Sequence, residues 1–311
     1  LMILSIFSSI ILVISSPSLF ISWIGLELNT LAFLPILLGK NNSISSEASI
    51  KYFLTQTLAS ILIILSALLF FMGLSVLASL LLVVSLGIKL GAAPFHTWLL
   101  SVSEVLSWGG LFTLLTIQKI NPLLIMWGFL PSTLGITELL IILSLGVGGL
   151  LGLVQTSTRL LMAFSSINHL GWLMTSLSFD LWMGILYFFI YSAILLAVIL
   201  IFNSFNISHI NQFVMVNFNS SKQILMHFSI LSLGGLPPFT GFLPKWLILQ
   251  SMMTVGWYFL SLIMILSSLF TLFFYLRMVF SSFIMSSMNV STVGMTYSLS
   301  SFNLMLIALS I

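Results

Sequence analysis

The sequence predicts an all-α polytopic membrane protein with about 11 transmembrane helices, at the usual ~20 residues per span. Three observations carry that expectation. Of the 311 residues, 60% are apolar and only 4% are charged. The mean hydropathy is +1.27. Apolar runs recur from one end to the other, separated by short polar patches. A soluble domain carries about 25% charged residues, so this chain has too little polar surface to cover itself in water.

Taken in order, the first five spans fall at roughly 1–14, 18–38, 48–72, 75–104 and 108–130. The next five fall at roughly 134–154, 160–178, 180–203, 223–250 and 255–284, and a last one occupies 297–311. The span 1–14 is short enough to begin at the membrane surface. The connections are short and polar, notably Lys40 to Glu47 and Asn203 to Lys222. With one or two basic residues per loop, the excess of positive charge that sets orientation is too thin to assign topology. Asn206 and Asn219 begin glycosylation-type triplets, which occur often by chance and receive no role.

Composition also excludes functions. Eight Lys and Arg against five Asp and Glu, scattered singly, make no nucleic-acid surface. With no cysteine there is no disulfide framework and no iron–sulfur ligation on this chain. The histidines lack the facing pairs a bis-histidine haem site needs. Position 1 is Leu, which points to a missing start or to an unconventional start codon read literally, and the apolar stretch from it shows neither a secretory signal nor an Arg-rich transit peptide.

Two spans are expected to be broken. Pro94 interrupts Lys89-Leu90-Gly91-Ala92-Ala93-Pro94-Phe95-His96, and Pro237-Pro238 interrupts Leu233 to Trp246. Proline removes a backbone donor and crowds the preceding turn. In lipid the freed carbonyls need partners, so such breaks belong inside a bundle or beside a hydrated cavity. The broken span is fourth in each set of five, and each has a lysine nearby, Lys89 and Lys245. The fifth spans carry Lys119 and Arg277, and the second spans Glu27 and His169. This weak internal repeat is what two five-helix inverted repeats would leave behind. It divides the chain into halves 1–131 and 132–286, followed by a C-terminal helix in 287–311.

A charge at mid-membrane costs about 2.5–3.5 kcal/mol on insertion scales, so each one calls for a reason. Glu27 lies near the middle of its span and is too short to snorkel. Lys89 precedes a break and Lys245 follows one, while Lys119 is far from either end of its span. These four are the candidate proton-relay residues. Lys51, near a span start, is as readily a snorkelling residue. Glu104 could close the end of the broken span. His96 and His169 lie within spans, the latter in a polar stripe with Ser165, Ser166 and Asn168, and could relay protons. Arg159 is expected to anchor at the interface, and Arg277 to need a partner, with a structural role open. Glu47, Glu138, Asp180, Lys40 and Lys222 read as loop or helix-end charges, and His209 and His227 receive no role.

An inward-facing acid with several lysines is a proton-relay composition. A lysine switched between paired and unpaired states changes its proton affinity, and a swing of ~3 units is worth about 4 kcal/mol. Moving one charge against ~150 mV costs roughly 3.5 kcal/mol. A single Glu27–Lys89 switch is therefore large enough to gate one proton step.

The strings Trp23-Ile24-Gly25-Leu26-Glu27-Leu28-Asn29, Ile50-Lys51-Tyr52-Phe53-Leu54-Thr55-Gln56, Lys89 to His96, Ala163 to Trp172 and Ser232 to Trp246 resemble the chain 2 family of mitochondrial NADH-ubiquinone oxidoreductase, respiratory complex I. The likeness covers nearly the whole chain in order and fits the animal type, which lacks the first three helices of its bacterial counterparts. It implies an antiporter-like membrane-arm subunit of the mitochondrial inner membrane. Glu27 and Lys89 would be the switching pair, Lys119 the central carrier and Lys245 the carrier of the second half. Partners implied are neighbouring antiporter-like, small membrane and accessory subunits, with lipids such as cardiolipin. FMN, iron–sulfur clusters and ubiquinone would sit on other subunits. Arg159 is followed by Leu160, where many relatives have a second basic residue, so the resemblance gives that charge no role. A stand-alone cation/proton antiporter, a non-conducting structural spacer and a haem-bearing carrier remain competing readings.

Overall fold

A computed structural model describes residues 2–39, 42–130, 133–215 and 220–286. Lys40 and the expected C-terminal helix within 287–311 lie outside the described residues. The described residues form helices and no β-strand. They gather into two compact units, Leu1–Ser144 and Leu145–Ile311.

The first unit begins with α1 (Met2–Ser15), α2 (Leu19–Leu38) and α3 (Ser43–Phe71). The Ser18 hydroxyl caps α2 by accepting from the Ile21 N–H, and Asn42 with Ser45 forms a capping box at the start of α3. α4 (Ser75–Leu90) and α5 (Thr97–Val105) are the two parts of the first broken span, and α3 packs along both. α6 (Trp108–Leu115), α7 (Ile117–Trp127) and most of α8 (Leu134–Gly152) complete the unit.

The expected continuous helix over 108–130 is corrected: it is interrupted at Thr116, where φ is −118° and ψ −75°. The Thr116 hydroxyl donates to the Phe112 carbonyl at 2.6 Å, the back-bond that bends helices. Nearly two turns further on, Pro122 supplies no N–H to the helix ladder. Lys119 therefore sits in the first turn of α7.

In the second unit, α9 (Thr158–Phe179) and α10 (Leu181–Phe205) are followed by the short α11 (Gln212–Met215), then α12 (Ser220–Gly234), α13 (Phe242–Val255) and α14 (Tyr258–Ser286). α9 is buried on nearly all sides, from Leu161 to Leu177 without interruption, against α10, α13 and α14. That position lets it carry Ser165, Ser166, Asn168 and His169, a stripe too polar for lipid.

Among the described residues, six helical stretches are long and apolar enough to cross a membrane: 19–38, 43–71, 108–127, 135–152, 181–205 and 258–282. Their outward faces are apolar, with Phe71 at 89% and Trp182 at 74% exposure. Such a surface is stable only in lipid, and the protein is multi-pass.

The two proline breaks share a sequence pattern and a left-handed glycine, while the Ala93–Pro94 peptide bond is cis and those at Pro237 and Pro238 are trans. Aligned on glycine, Gly91-Ala92-Ala93-Pro94-Phe95 matches Gly235-Leu236-Pro237-Pro238-Phe239. Gly91 (φ +70°) and Gly235 (φ +77°) both take the left-handed conformation that ends a helix. Phe95 N–H donates to the Ala92 carbonyl and Phe239 N–H to the Leu236 carbonyl, each closing a four-residue turn.

Candidate functional site

In the first unit, α2 holds Glu27 and α4 holds Lys89 at its C-terminal end. Lys89 Nζ lies 4.0 Å from Glu27 Oε1, with the lysine side chain 2% exposed and the glutamate 23%. Neither atom makes a hydrogen bond. The pair is thus an ion pair at the outer limit of contact, with the Thr30 hydroxyl donating to the other carboxylate oxygen, Glu27 Oε2, at 3.3 Å. Lys89 occupies the last turn of α4, where the helix dipole favours a cation. The preceding carbonyl, Ile88 O, accepts from Trp98 Nε1 at 3.0 Å, which fixes α5 to the break.

Lys119 is 2% exposed and faces the same small cavity as Lys89. That cavity holds about 10 Å³ of space for water, and its polar lining includes Asn29, Thr30, Tyr52, Gln56 and Gln118. The volume is near the limit for one water molecule. Around it runs a line of hydrogen bonds: Gln118 Nε2 donates to Asn29 Oδ1 at 3.0 Å, and Tyr52 OH donates to Gln118 Oε1 at 3.5 Å. Thr30 Oγ1 lies 3.3 Å from Glu27 Oε2 and extends the polar surface toward the ion pair. Beside Lys119, Asn121 donates to Ser9 Oγ at 3.1 Å.

The secondary candidates of this unit lie elsewhere. Lys51 pairs with Glu47 at 2.6 Å on the exposed start of α3, so the lone snorkelling lysine is replaced by a helical i,i+4 pair. Both face a surface hollow together with Glu104. His96 is half-buried at the start of α5, its Nδ1 3.2 Å from the Pro94 carbonyl.

In the second unit, Lys245 follows the break on α13 and is 7% exposed. Its ammonium reaches back 3.0 Å to Gly234 O, the last carbonyl of α12, and lies 5.7 Å from the centre of the Trp172 ring. The two break lysines therefore differ: Lys245 bonds the last carbonyl of α12, whereas Lys89 stands in the last turn of α4 and faces Glu27. His169 on α9 has Nδ1 2.8 Å from Tyr187 OH and its ring 4.6 Å from that of Tyr191. It borders a second small cavity, lined also by Ser232, Gly241 and Pro244 at the break.

Other charges are structural in their contacts. Arg277 Nη1 donates to Leu153 O at 2.8 Å and Nη2 to Gln155 O, closing the C-terminal end of α8. Arg159 is half-buried, Glu138 lies partly buried in α8, and Asp180 and His209 are exposed. His227, which the sequence left without a role, shares a hydrogen bond with Ser282 Oγ and ties α12 to α14. Among the described residues no three His, Asp or Glu side chains gather to hold a metal.

Sequence reasoning did not single out Asn29, Tyr52 and Gln56 as lining the cavity. A signal was present: Ala48, Tyr52 and Gln56 follow at i, i+4 and i+8, and all three are buried.

These features define a multi-pass helical membrane protein with buried lysines at broken helices. The family described as NADH:quinone oxidoreductase/Mrp antiporter, TM, matches residues 16–271. NADH-ubiquinone oxidoreductase chain 2 of Anopheles gambiae is 44% identical over 283 residues, covering 88% of this chain and 82% of that one. The Artemia franciscana chain 2 is 39% identical over 289 residues, covering 91% and 90%. The chain belongs to the NADH-ubiquinone oxidoreductase chain 2 family. Among solved structures, a chain of respiratory complex I from Thermus thermophilus superposes with a TM-score of 0.88 at 21% identity, covering 99% of this chain and 75% of that one. A chain of the Mrp complex from Dietzia sp. gives 0.81 at 17% identity, covering 89% and 59%. These two share the fold.

Proposed function

We propose that this chain is a core membrane-arm subunit of proton-pumping NADH:ubiquinone oxidoreductase in the mitochondrial inner membrane, forming one proton-translocation channel. Its relay residues are Glu27, Lys89, Lys119 and Lys245. The observation that carries the proposal is the loose Glu27–Lys89 pair at 4.0 Å, opening on a water-sized cavity that Lys119 also lines. A pair at the outer limit of contact can separate and re-form, and its lysine then has two proton affinities. Lys119, across the cavity, takes the proton that Lys89 gains or releases. Lys245 performs the corresponding transfer in the second half, leaving and regaining Gly234 O. His169 beside Tyr187 is a further relay candidate there.

The architecture in this proposal is of about 11 spans of ~20 residues, with inverted repeats in 1–131 and 132–286 and a last helix in 287–311. The shared Gly-x-x-Pro-Phe break in each half supports it. Catalysis of quinone reduction, with FMN, iron–sulfur clusters and ubiquinone, belongs to other subunits of the complex. Partners are adjacent antiporter-like, small membrane and accessory subunits, with lipids such as cardiolipin at the apolar faces.

The test is Lys89→Met in the assembled complex, with quinone reduction and proton pumping measured separately. Fewer protons per electron are expected. Unchanged pumping in a fully assembled variant would leave the lysines as pairing glue in a structural spacer. Cation-driven transport by the chain reconstituted alone would instead favour a stand-alone antiporter.

A further inference from the structure

Beyond the relay residues, the first unit has a second polar feature, the hollow of about 480 Å³ at the start of α3 and the end of α5. Asn42, Glu47, Lys51, Ser101 and Glu104 line it. Its depth follows from helix length. α3 has 29 residues, about 44 Å at 1.5 Å per residue, against a hydrocarbon core of ~30 Å. One or two turns of α3 therefore stand in the interface, and its first turns carry the Glu47–Lys51 pair.

The same two helices continue inward to the Lys89–Lys119 cavity. On α3 the stripe Ala48, Tyr52, Gln56 has Ala48 on the hollow and Tyr52 and Gln56 on the inner cavity. On α5, Ser101 and Val105 face the hollow, while Trp98 and Leu99 face the cavity. One aromatic pair stands at the transition. The Tyr52 and Trp98 rings meet edge to face, 5.7 Å between centres, with Tyr52 1% and Trp98 5% exposed. Trp98 is fixed by its bond to Ile88 O. Tyr52 makes a long 3.5 Å hydrogen bond to Gln118 and packs on Phe33 and Trp98. Of the two rings, Tyr52 is the one placed to move.

We propose that this hollow is the aqueous mouth of the path to Lys89 and Lys119, that Glu104 gathers protons there, and that Tyr52 against Trp98 is its gate, shut in this conformation. This rests on the relay reading above, because a mouth has meaning only if the inner lysines carry protons. When Tyr52 swings away, water joins the hollow to the cavity, and a proton passes from a mouth carboxylate along that water to a neutral lysine amine. The gate matters for pumping, since a permanently open mouth would let protons return.

Because the chain contains no cysteine, one introduced thiol is unique within it. The experiment uses the assembled complex with Ser101→Cys at the mouth or Gln56→Cys inside. A small water-soluble methanethiosulfonate reagent is applied from each side of the membrane in turn, and modification of this chain is read by mass. Ser101→Cys should react from one side only. Gln56→Cys should react slowly with Tyr52 present, because an open state populated at ~10% or less limits the rate, and roughly tenfold faster from that side in the Tyr52→Ala background. Trp98→Ala is the second variant, should Tyr52→Ala fail to assemble. Reaction of Ser101→Cys from both sides or neither, or no acceleration of Gln56→Cys in either background, overturns the proposal. Labelling reads water access whichever residue carries the proton. Accelerated labelling beside normal pumping in Lys89→Met would remove the relay and keep the hydrated mouth. Unaccelerated labelling beside lost pumping would remove the mouth and keep the relay.

Discussion

Shortening or neutralising Glu27 tests the switch quantitatively. At the 4.0 Å separation of Lys89 and Glu27, two unit charges attract by about 4 kcal/mol at an effective dielectric of ~20. This is close to the roughly 3.5 kcal/mol needed to move one charge against ~150 mV, so forming and breaking the pair matches one pumping step. Glu27→Gln removes the attraction while keeping the shape of the side chain. Glu27→Asp withdraws the carboxylate by about 1.5 Å, leaving about 3 kcal/mol of attraction. The loss of about 1 kcal/mol corresponds to roughly six-fold in the balance between paired and open states. In coupled vesicles containing the assembled complex, protons pumped per electron should therefore fall in the order Glu27, Asp, Gln. The readout is a pH-sensitive dye against quinone reduction. Equal stoichiometry for Glu27→Gln and the unsubstituted protein would refute the switch. So would a lower value for Asp than for Gln, since charge rather than shape is the proposed agent.

Three further outcomes follow from the geometry. At Gly235, φ is +77° and an added Cβ would lie 3.0 Å from Lys245 Cδ and Nζ; Gly235→Ala should cost about 1–2 kcal/mol and loosen the Lys245–Gly234 bond, lowering pumping in complexes that still assemble. At Gly148, a Cβ would lie 2.6 Å from Asn168 N and 2.8 Å from Phe164 O; Gly148→Ala should force α8 from α9 and destabilise by about 1–3 kcal/mol, seen as earlier thermal loss of the assembled complex. Arg277→Met removes the donors from Leu153 O and Gln155 O; two charge-assisted bonds at about 1.5–3 kcal/mol each are at stake, so assembly yield should drop.

Much of this was legible in the sequence because membranes restrict the alternatives. Lipid leaves the backbone only helices or closed barrels, so apolar runs placed the helices of the described residues to within a few residues. Pro94 and Pro237-Pro238 marked the two breaks by removing backbone donors. Glu27 and Lys89 were conspicuous because burying a short carboxylate requires a partner. The interruption at Thr116 was not legible: no proline or glycine stands there, and it depends on a hydroxyl turning back to Phe112 O. The burial of α9 on nearly every side was hidden as well, since a lipid-facing helix and a central one can share similar apolar content. The cavity lining escaped because Asn29, Tyr52 and Gln56 lie on two helices brought together only by packing. Arg277 advertised its need for a partner, but its partners are two backbone carbonyls, Leu153 O and Gln155 O, which no side-chain pattern encodes. Lys51 and Glu47, four residues apart, could have been paired from spacing alone.

The most direct test of proton conduction through this chain is Lys119→Met in the assembled complex. Lys119 is buried at 2% exposure, faces the cavity that Lys89 also lines, and Met preserves most of its length and volume while removing the titratable group. Protons pumped per electron should fall while the complex remains intact and still reduces quinone. Full stoichiometry from an intact Lys119→Met complex would contradict the relay.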